Sequence, residues 1–281
     1  VGTLFQRHKR FAVLNTADLV TNNFGSMIPG PMIVALIGAT ANADFSAARQ
    51  LIQLPILLLV GAIWRVAYPT LSGVSEALLQ HRCLRIIGTT AAFISPAVIW
   101  LAFFAPQTAL LVGGRDYSSA AVLIQWMAAY MLLTAIYSPI SSIDMIRDRP
   151  EIGLYWNIVH TAARVGVIFW TAPMGVEAVV KWMSISSFLL WTVWIVILGW
   201  LVGAPWGKYF GAVLRFAPLW LALLGSFWLC DLIVGVHPLA PLLLSALPCL
   251  LYAAVVMKFY PGESEMVWKL LGKSQASREK T

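Results

Sequence analysis

Residues Val176 to Leu201 read VEAVVKWMSISSFLLWTVWIVILGWL, with charge at Glu177 and Lys181 and nowhere else in the run. An α-helix rises 1.5 Å per residue, so about 20 apolar residues cross the roughly 30 Å hydrocarbon core of a bilayer. A barrel strand would alternate apolar and polar positions, and this stretch does not. The rest of the chain has the same character. Of its 281 residues 60% are hydrophobic and 11% charged, where an ordinary soluble domain has roughly 25% charged. The mean hydropathy is +0.80, and there are 13 Trp and 13 Phe. Such a chain cannot cover a water-facing surface with polar groups. Its solvent is lipid, where the backbone is satisfied only inside helices or closed barrels. Soluble enzymes, nucleic-acid binders and secreted disulfide scaffolds are thereby excluded. The fold class is all-α: a polytopic helical membrane protein.

Working outward, eight spans are expected. They cover Phe11–Ile37, Phe45–Leu71, Leu84–Phe104, Ala120–Ile143, Ile152–Thr171, Val176–Leu201, Val213–Val234 and Pro238–Met257. Turn residues such as Ala172-Pro173-Met174-Gly175 and Gly203-Ala204-Pro205 separate them, so neighbouring helices should form antiparallel hairpins. Two short stretches read as interfacial: an amphipathic segment Glu76–Arg85, and Gln107–Ser119 on the opposite side. Cys83, Cys230 and Cys249 give neither a disulfide framework nor a metal spacing. The sequence begins at Val1 with no basic start, apolar core and small-residue cleavage site, so no signal peptide is expected and a truncated N-terminus is.

Charge sets the orientation. Loops on the side where odd spans begin carry Arg7, Lys9, Arg10, Arg82, Arg85, Arg147, Arg149, Lys208 and Arg215. The tail adds Lys258, Lys269, Lys273, Arg278 and Lys280, against Arg115 alone on the opposite side. The positive-inside rule makes the basic side cytoplasmic, with both ends of the chain there and the whole in the cell's inner membrane. The net charge of +7 then reflects topology and contact with anionic membrane lipids, and asks for no nucleic-acid partner.

Ionisable residues inside a bilayer mark a pathway by default. In the fifth span Asn157, His160, Thr161 and Arg164 fall at i, i+3, i+4 and i+7, one helical stripe. Arg164 lies 12 residues beyond Ile152, about 18 Å in, near the bilayer centre. Ser46, Arg49, Gln50 and Gln53 repeat the spacing in the second span, and Glu177, Lys181 and Ser184 in the sixth. Asn15, Asp18 and Asn22 do so in the first. Such stripes should turn inward around a hydrated, net positive cavity suited to an anion, with Arg able to grip phosphate oxygens in a fork. Trp64, Trp126, Tyr130, Tyr137, Tyr155 and Trp156 are candidates for stacking on sugar rings or lipid. Arg164, Arg49, Lys181, Asn157, Gln53 and His160 are the expected substrate-binding residues and Asp18 a coupling residue.

Blander readings stand beside these. Arg65 snorkels to the interface, Glu177 and Lys181 form a local i, i+4 ion pair, and Asp18 serves as counter-ion to an Arg. Asp144, Asp148 and Glu151 read with Arg147 and Arg149 as a salt-laced turn and not a metal site. His-Glu-x-x-His, Gly-x-Ser-x-Gly and the phosphate loop ending Gly-Lys-Ser/Thr are absent from the sequence. An enzyme is therefore not expected, nor a cofactor or metal.

The order of several motifs resembles a known family. Asp18 on a polar helix is followed by Leu36-Ile37-Gly38, Asp44-Phe45-Ser46-Ala47-Ala48-Arg49-Gln50-Leu51, Leu54-Pro55 and Tyr68-Pro69-Thr70-Leu71. Further on come Phe104-Ala105-Pro106, Gly113-Gly114-Arg115-Asp116-Tyr117, Tyr137-Ser138-Pro139, Arg149-Pro150 and Pro173-Met174-Gly175-Val176. From Phe11 to Leu201 the chain resembles the C-terminal part of the Wzx-like polysaccharide, or O-antigen-type, flippases of the multidrug/oligosaccharidyl-lipid/polysaccharide exporter superfamily. Asp148 stands where members usually have Gly, and Glu177 where small residues are common. The resemblance implies two six-helix lobes, of which residues 1–203 form the second. Residues 204–257 would add two further helices, and 258–281 a basic cytoplasmic tail. It implies alternating access that carries a lipid-linked oligosaccharide to the outer leaflet for surface polysaccharide assembly. Proton or sodium coupling and polysaccharide polymerase machinery as partner go with it. The first lobe would be missing, and this chain alone would not transport. The alternatives are a small-molecule or drug cation antiporter of the same superfamily, which would favour acidic lumen residues, and a membrane-embedded polymerase or ligase, which needs a substantial outer loop.

Overall fold

The computed structural model describes residues 2–113, 118–234, 240–263 and 265. Arg115, Asp116, Tyr117, His237, Lys269, Lys273, Arg278 and Lys280 lie outside these, as do the side chains of Arg7, Lys9 and Arg10. The described residues form helices and short connections. The helices are α1 (Gly2–Met27), α2 (Pro29–Leu36), α3 (Ala39–Leu71), α4 (Glu76–Phe103), α5 (Ala105–Gly113), α6 (Ser118–Tyr137) and α7 (Ile143–Ile146). They continue as α8 (Pro150–Thr171), α9 (Val176–Val202), α10 (Trp206–Leu214), α11 (Ala217–Val234), α12 (Ala240–Leu244) and α13 (Ala246–Phe259).

Local chemistry sets the boundaries. Pro29 opens α2 after a break at Ile28, and Pro150 opens α8; the first helical turn needs no N–H and suits the fixed φ of proline. Gly203 ends α9 at φ +72°, a left-handed conformation that costs glycine little, and its N–H closes back on Gly199 and Trp200.

Among the described residues six helical segments are long and apolar enough to cross a membrane: 39–71, 78–103, 119–146, 176–202, 206–233 and 240–259. The other two expected spans, α1–α2 and α8, have the length but not the apolarity, because they carry the polar stripes. One reading needs correction: Glu76–Arg85 is no separate interfacial helix but the first turns of a continuous 28-residue α4. The seventh expected span corresponds to α11, preceded by the short separate helix α10, which packs on α4 and α9.

The helices α4 and α6 lie at the centre, α6 against α3, α4 and α9. Ile52, Ile86, Ile87, Ile94, Leu123, Ile124 and Met127 are fully enclosed there. Leu57, Leu58, Trp200, Leu232, Ile233, Leu250 and Leu251 are, by contrast, exposed on the outside. An exterior this apolar is what lipid requires and water would punish.

Candidate substrate cavity

The break at Ile28 leaves one backbone carbonyl without its usual partner. The Gly25 C=O would accept from the N–H of residue 29, four positions on, but Pro29 has none. Arg164 on α8 fills the vacancy: its Nη1 donates to Gly25 O at 2.5 Å. Arg49 on α3 donates to the neighbouring Ser26 O at 2.7 Å. Both guanidinium groups thus sit on the last turn of α1, where aligned carbonyls carry partial negative charge. The close approach of α1 and α8 depends on Gly25, above which an added Cβ would lie 2.2 Å from Thr161 Oγ1.

Seven residues earlier on both helices a second contact spans the pair, with Asn157 Nδ2 donating to Asp18 Oδ1 at 2.6 Å. The two rungs, 18 to 157 and 25 to 164, advance together, so α1 and α8 run parallel, as two odd-numbered spans should. They are two turns, about 10.5 Å, apart.

Around these rungs lies a cavity of about 570 Å³. The stripes of the first, second and fifth spans meet on its wall: Asn15, Asp18 and Asn22, then Arg49 and Gln53, then Asn157, His160, Thr161 and Arg164. Hence Arg164, Arg49, Asn157, Gln53, His160 and Asp18 are brought together. Lys181 is not on that wall: its Nζ lies 4.8 Å from the centroid of the Trp126 ring. Among the described residues Lys181 has no ion pair with Glu177 either. Of the six aromatic candidates Trp64, Tyr130 and Trp156 line the cavity. Trp126 is taken by Lys181, Tyr137 is buried in the core, and Tyr155 faces outward. Trp156 stacks on Trp194 with ring centroids 5.0 Å apart, and Trp194 joins the wall.

The charges in the cavity are sorted by sign. Arg49 and Arg164 form no ion pair with a carboxylate among the described residues, and Asp18 none with a cation, so Asp18 is not their counter-ion. Arg164 Nη2 lies 3.4 Å from His160 Nδ1, while Arg164 Nε and His160 Nε2 are buried without a hydrogen-bond partner. Buried polar groups are rarely left so. At the other rung Asp144 comes into the cavity beside Asp18. It was legible only as part of a salt-laced turn, yet it is 2% exposed and turned inward, while Arg147 pairs with Glu76. No periodicity could have shown this, because Asp144 sits in α7, a single turn.

An all-α, multi-pass membrane protein with a charged cavity between its helices is the class that fold and site define. Residues 3–122 match the profile of a family described as "Polysaccharide biosynthesis protein". The chain is 23% identical over 193 residues to the amylovoran biosynthesis protein AmsL of Erwinia amylovora, covering 67% of this chain and 49% of that one. It is 20% identical to the teichuronic acid biosynthesis protein TuaB of Bacillus subtilis, covering 73% and 43%. It is 22% identical to the lipopolysaccharide biosynthesis protein WzxC of Escherichia coli K-12, covering 54% and 31%. No solved structure matches. Over residues 3–122 the chain is thus similar to this family, and the relatives it resembles at low identity are named for polysaccharide biosynthesis. It spans about half the length of the curated relatives it matches.

Proposed function

We propose that this chain is one lobe of a transporter that moves a lipid-linked oligosaccharide from the cytoplasmic to the outer leaflet by alternating access. The observation that carries the reading is the basic end of the cavity. Two guanidinium groups lie there without carboxylate partners, and Arg164 Nε and His160 Nε2 have no partner. A diphosphate would supply the missing acceptors, and charge-assisted hydrogen bonds to it are about twice as strong as neutral ones. In this reading Arg164 and Arg49 hold the diphosphate, and His160, Asn157 and Gln53 bond to polar oxygens of the headgroup. Trp64 and Trp156 offer faces to sugar rings. Lys181, clasped over Trp126, falls outside the set. Residues 1–203 make the lobe, 204–257 an added helical pair and 258–281 a cytoplasmic tail.

The test is transbilayer movement of a lipid-pyrophosphate-linked oligosaccharide in proteoliposomes holding the full-length protein. Arg164→Ala should slow it tenfold or more at equal protein level, about 1.4 kcal/mol or more in barrier. An unchanged rate removes Arg164 from the pathway. No movement by wild type, under either a proton or a sodium gradient, overturns the transport reading.

A further inference from the structure

The acidic rung is short of donors, as the basic rung is short of acceptors. Above Gly153 the position of an added Cβ lies 2.2 Å from Asp144 Oδ2 and 3.6 Å from Asp18 Oδ1, so both carboxylates crowd one small residue. Among the described residues no Lys or Arg pairs with either. Asp18 Oδ1 accepts from Asn157 Nδ2 at 2.6 Å, and Asp144 Oδ1 from the N–H of Met145 at 2.8 Å. These bonds fix the two groups in place. An ionised carboxylate offers about four lone-pair sites, so each keeps capacity for further donors.

Two neutral groups beside them are also unmatched. Ser142, two residues before Asp144, is 5% exposed and lines the cavity, yet its Oγ has no hydrogen-bond partner. Asn15, one turn before Asp18 on the same stripe of α1, has a buried Oδ1 without a partner. The adjoining wall is aromatic. Trp156, next to Asn157 in α8, stacks on Trp194 of α9 at an interplanar angle of 22°, and both line the cavity. The His160 ring stacks on Trp156 in turn, with centroids 6.3 Å apart, which carries the ladder toward the basic rung. A sugar ring brings what this wall lacks. Its hydroxyls donate as well as accept, and its C–H face can lie on an indole. A bare lipid diphosphate, when ionised, has only acceptors to offer.

We propose that Asp18, Asp144, Asn15 and Ser142, with the Trp156–Trp194 pair, form a sugar subsite that reads the hydroxyls of the units nearest the diphosphate. The inference rests on the reading that puts the diphosphate at Arg164. Two helical turns, about 10.5 Å, separate the rungs, so the sugars following the diphosphate reach the acidic one. In this assignment Asp18 is a sugar ligand and not a coupling residue. The chemistry sets a preference. Neutral and amino sugars bring donors to the carboxylates. A hexuronic acid brings another negative charge against two carboxylates with no cation paired to them, where like charges repel strongly. Sites that bond a hydroxyl also reject ligands lacking it, because buried groups are then left unpaired.

The experiment measures equilibrium binding of three water-soluble, short-chain lipid diphosphates to the purified full-length protein in nanodiscs. One carries no sugar, one a disaccharide of neutral hexoses, and one a disaccharide of hexuronic acids. Wild type should hold the hexose compound at least tenfold more tightly than either of the others. Asp144→Asn should narrow both gaps severalfold, and Ser142→Ala should weaken the hexose compound severalfold. Neither change should alter binding of the sugar-free compound, which a merely structural role would weaken as well. Arg164→Ala should weaken all three alike. If Asp144→Asn does not give a monodisperse, folded protein, Ser142→Ala decides. Equal binding of the three by wild type overturns the subsite and leaves the diphosphate reading standing. So does a hexose preference that survives these substitutions in folded protein, or a loss that extends to the sugar-free compound. A hexose preference that persists while Arg164→Ala changes nothing would support the subsite and overturn the diphosphate reading. No binding of any of the three overturns both.

Discussion

Pro29 is what gives Arg164 a backbone acceptor inside the bundle. By lacking an N–H it frees the Gly25 carbonyl, and the guanidinium takes the place of the missing donor. Restoring the amide should therefore disturb the cavity while improving the helix. In Pro29→Ala the new N–H competes for Gly25 O, α1 and α2 become continuous, and Arg164 loses its anchor. The expected signature is a melting temperature at or above wild type, together with a severalfold loss of oligosaccharide movement in proteoliposomes. A variant that melts earlier and also transports poorly would show that the break is needed for folding and not for aiming Arg164.

Between helices, the contact that brings the rungs into register is Gly25 against Thr161. A new Cβ would meet Thr161 Oγ1 first, with Thr161 Cβ and Cγ2 behind it at 3.3 and 3.4 Å, so Gly25→Ala should require Thr161 to turn and should cost less than a larger side chain. Gly25→Leu forces α1 off α8 and should cost about 1–3 kcal/mol, as overpacking typically does. Thr161→Ala should recover part of that loss, and a double-mutant cycle on thermal stability measures the coupling. The α1–α8 pair was also the most legible part of the site, for a physical reason. Its polar residues recur with the helical period, so Asn15, Asp18 and Asn22 could be placed on one face, and Asn157, His160 and Arg164 on another, from spacing alone. Spacing does not tell which way a stripe turns. Glu177, Lys181 and Ser184 have the same period on α9, yet Lys181 meets the ring of Trp126 on α6 instead of the cavity. Nor can spacing place a residue outside a periodic element, and so Asp144 and Ser142, in a turn between helices, escaped it. Trp194 was hidden differently, as one more aromatic in an apolar run.

At the scale of the molecule, Arg82, Arg85, Arg147 and Arg215, four of the basic residues that the charge count puts on one side, each bond to another part of the chain. Arg147 pairs with Glu76, Arg215 with Glu263 and Arg85 with Glu265, while Arg82 Nη1 donates to Thr70 O at 2.5 Å. These contacts join the α3–α4 turn, α7, the α10–α11 junction and the segment after α13, every one of them on the predicted cytoplasmic side. The turn from α8 to α9 should then face the outside. Its Met174 is 61% exposed, and Ser75, at the start of α4, is also exposed. In a protein with Cys83, Cys230 and Cys249 replaced by serine or alanine, Ser75→Cys and Met174→Cys make a pair of reporters. A membrane-impermeant maleimide added to intact cells should label Met174→Cys and spare Ser75→Cys until the inner membrane is opened. The reverse pattern would invert the molecule and place the acidic rung nearer the outside. That matters for mechanism, because α1 and α8 run parallel and each carries its acidic-rung contact two turns before its basic one. With the predicted orientation, a substrate headgroup from the cytoplasm passes the acidic rung before reaching Arg164.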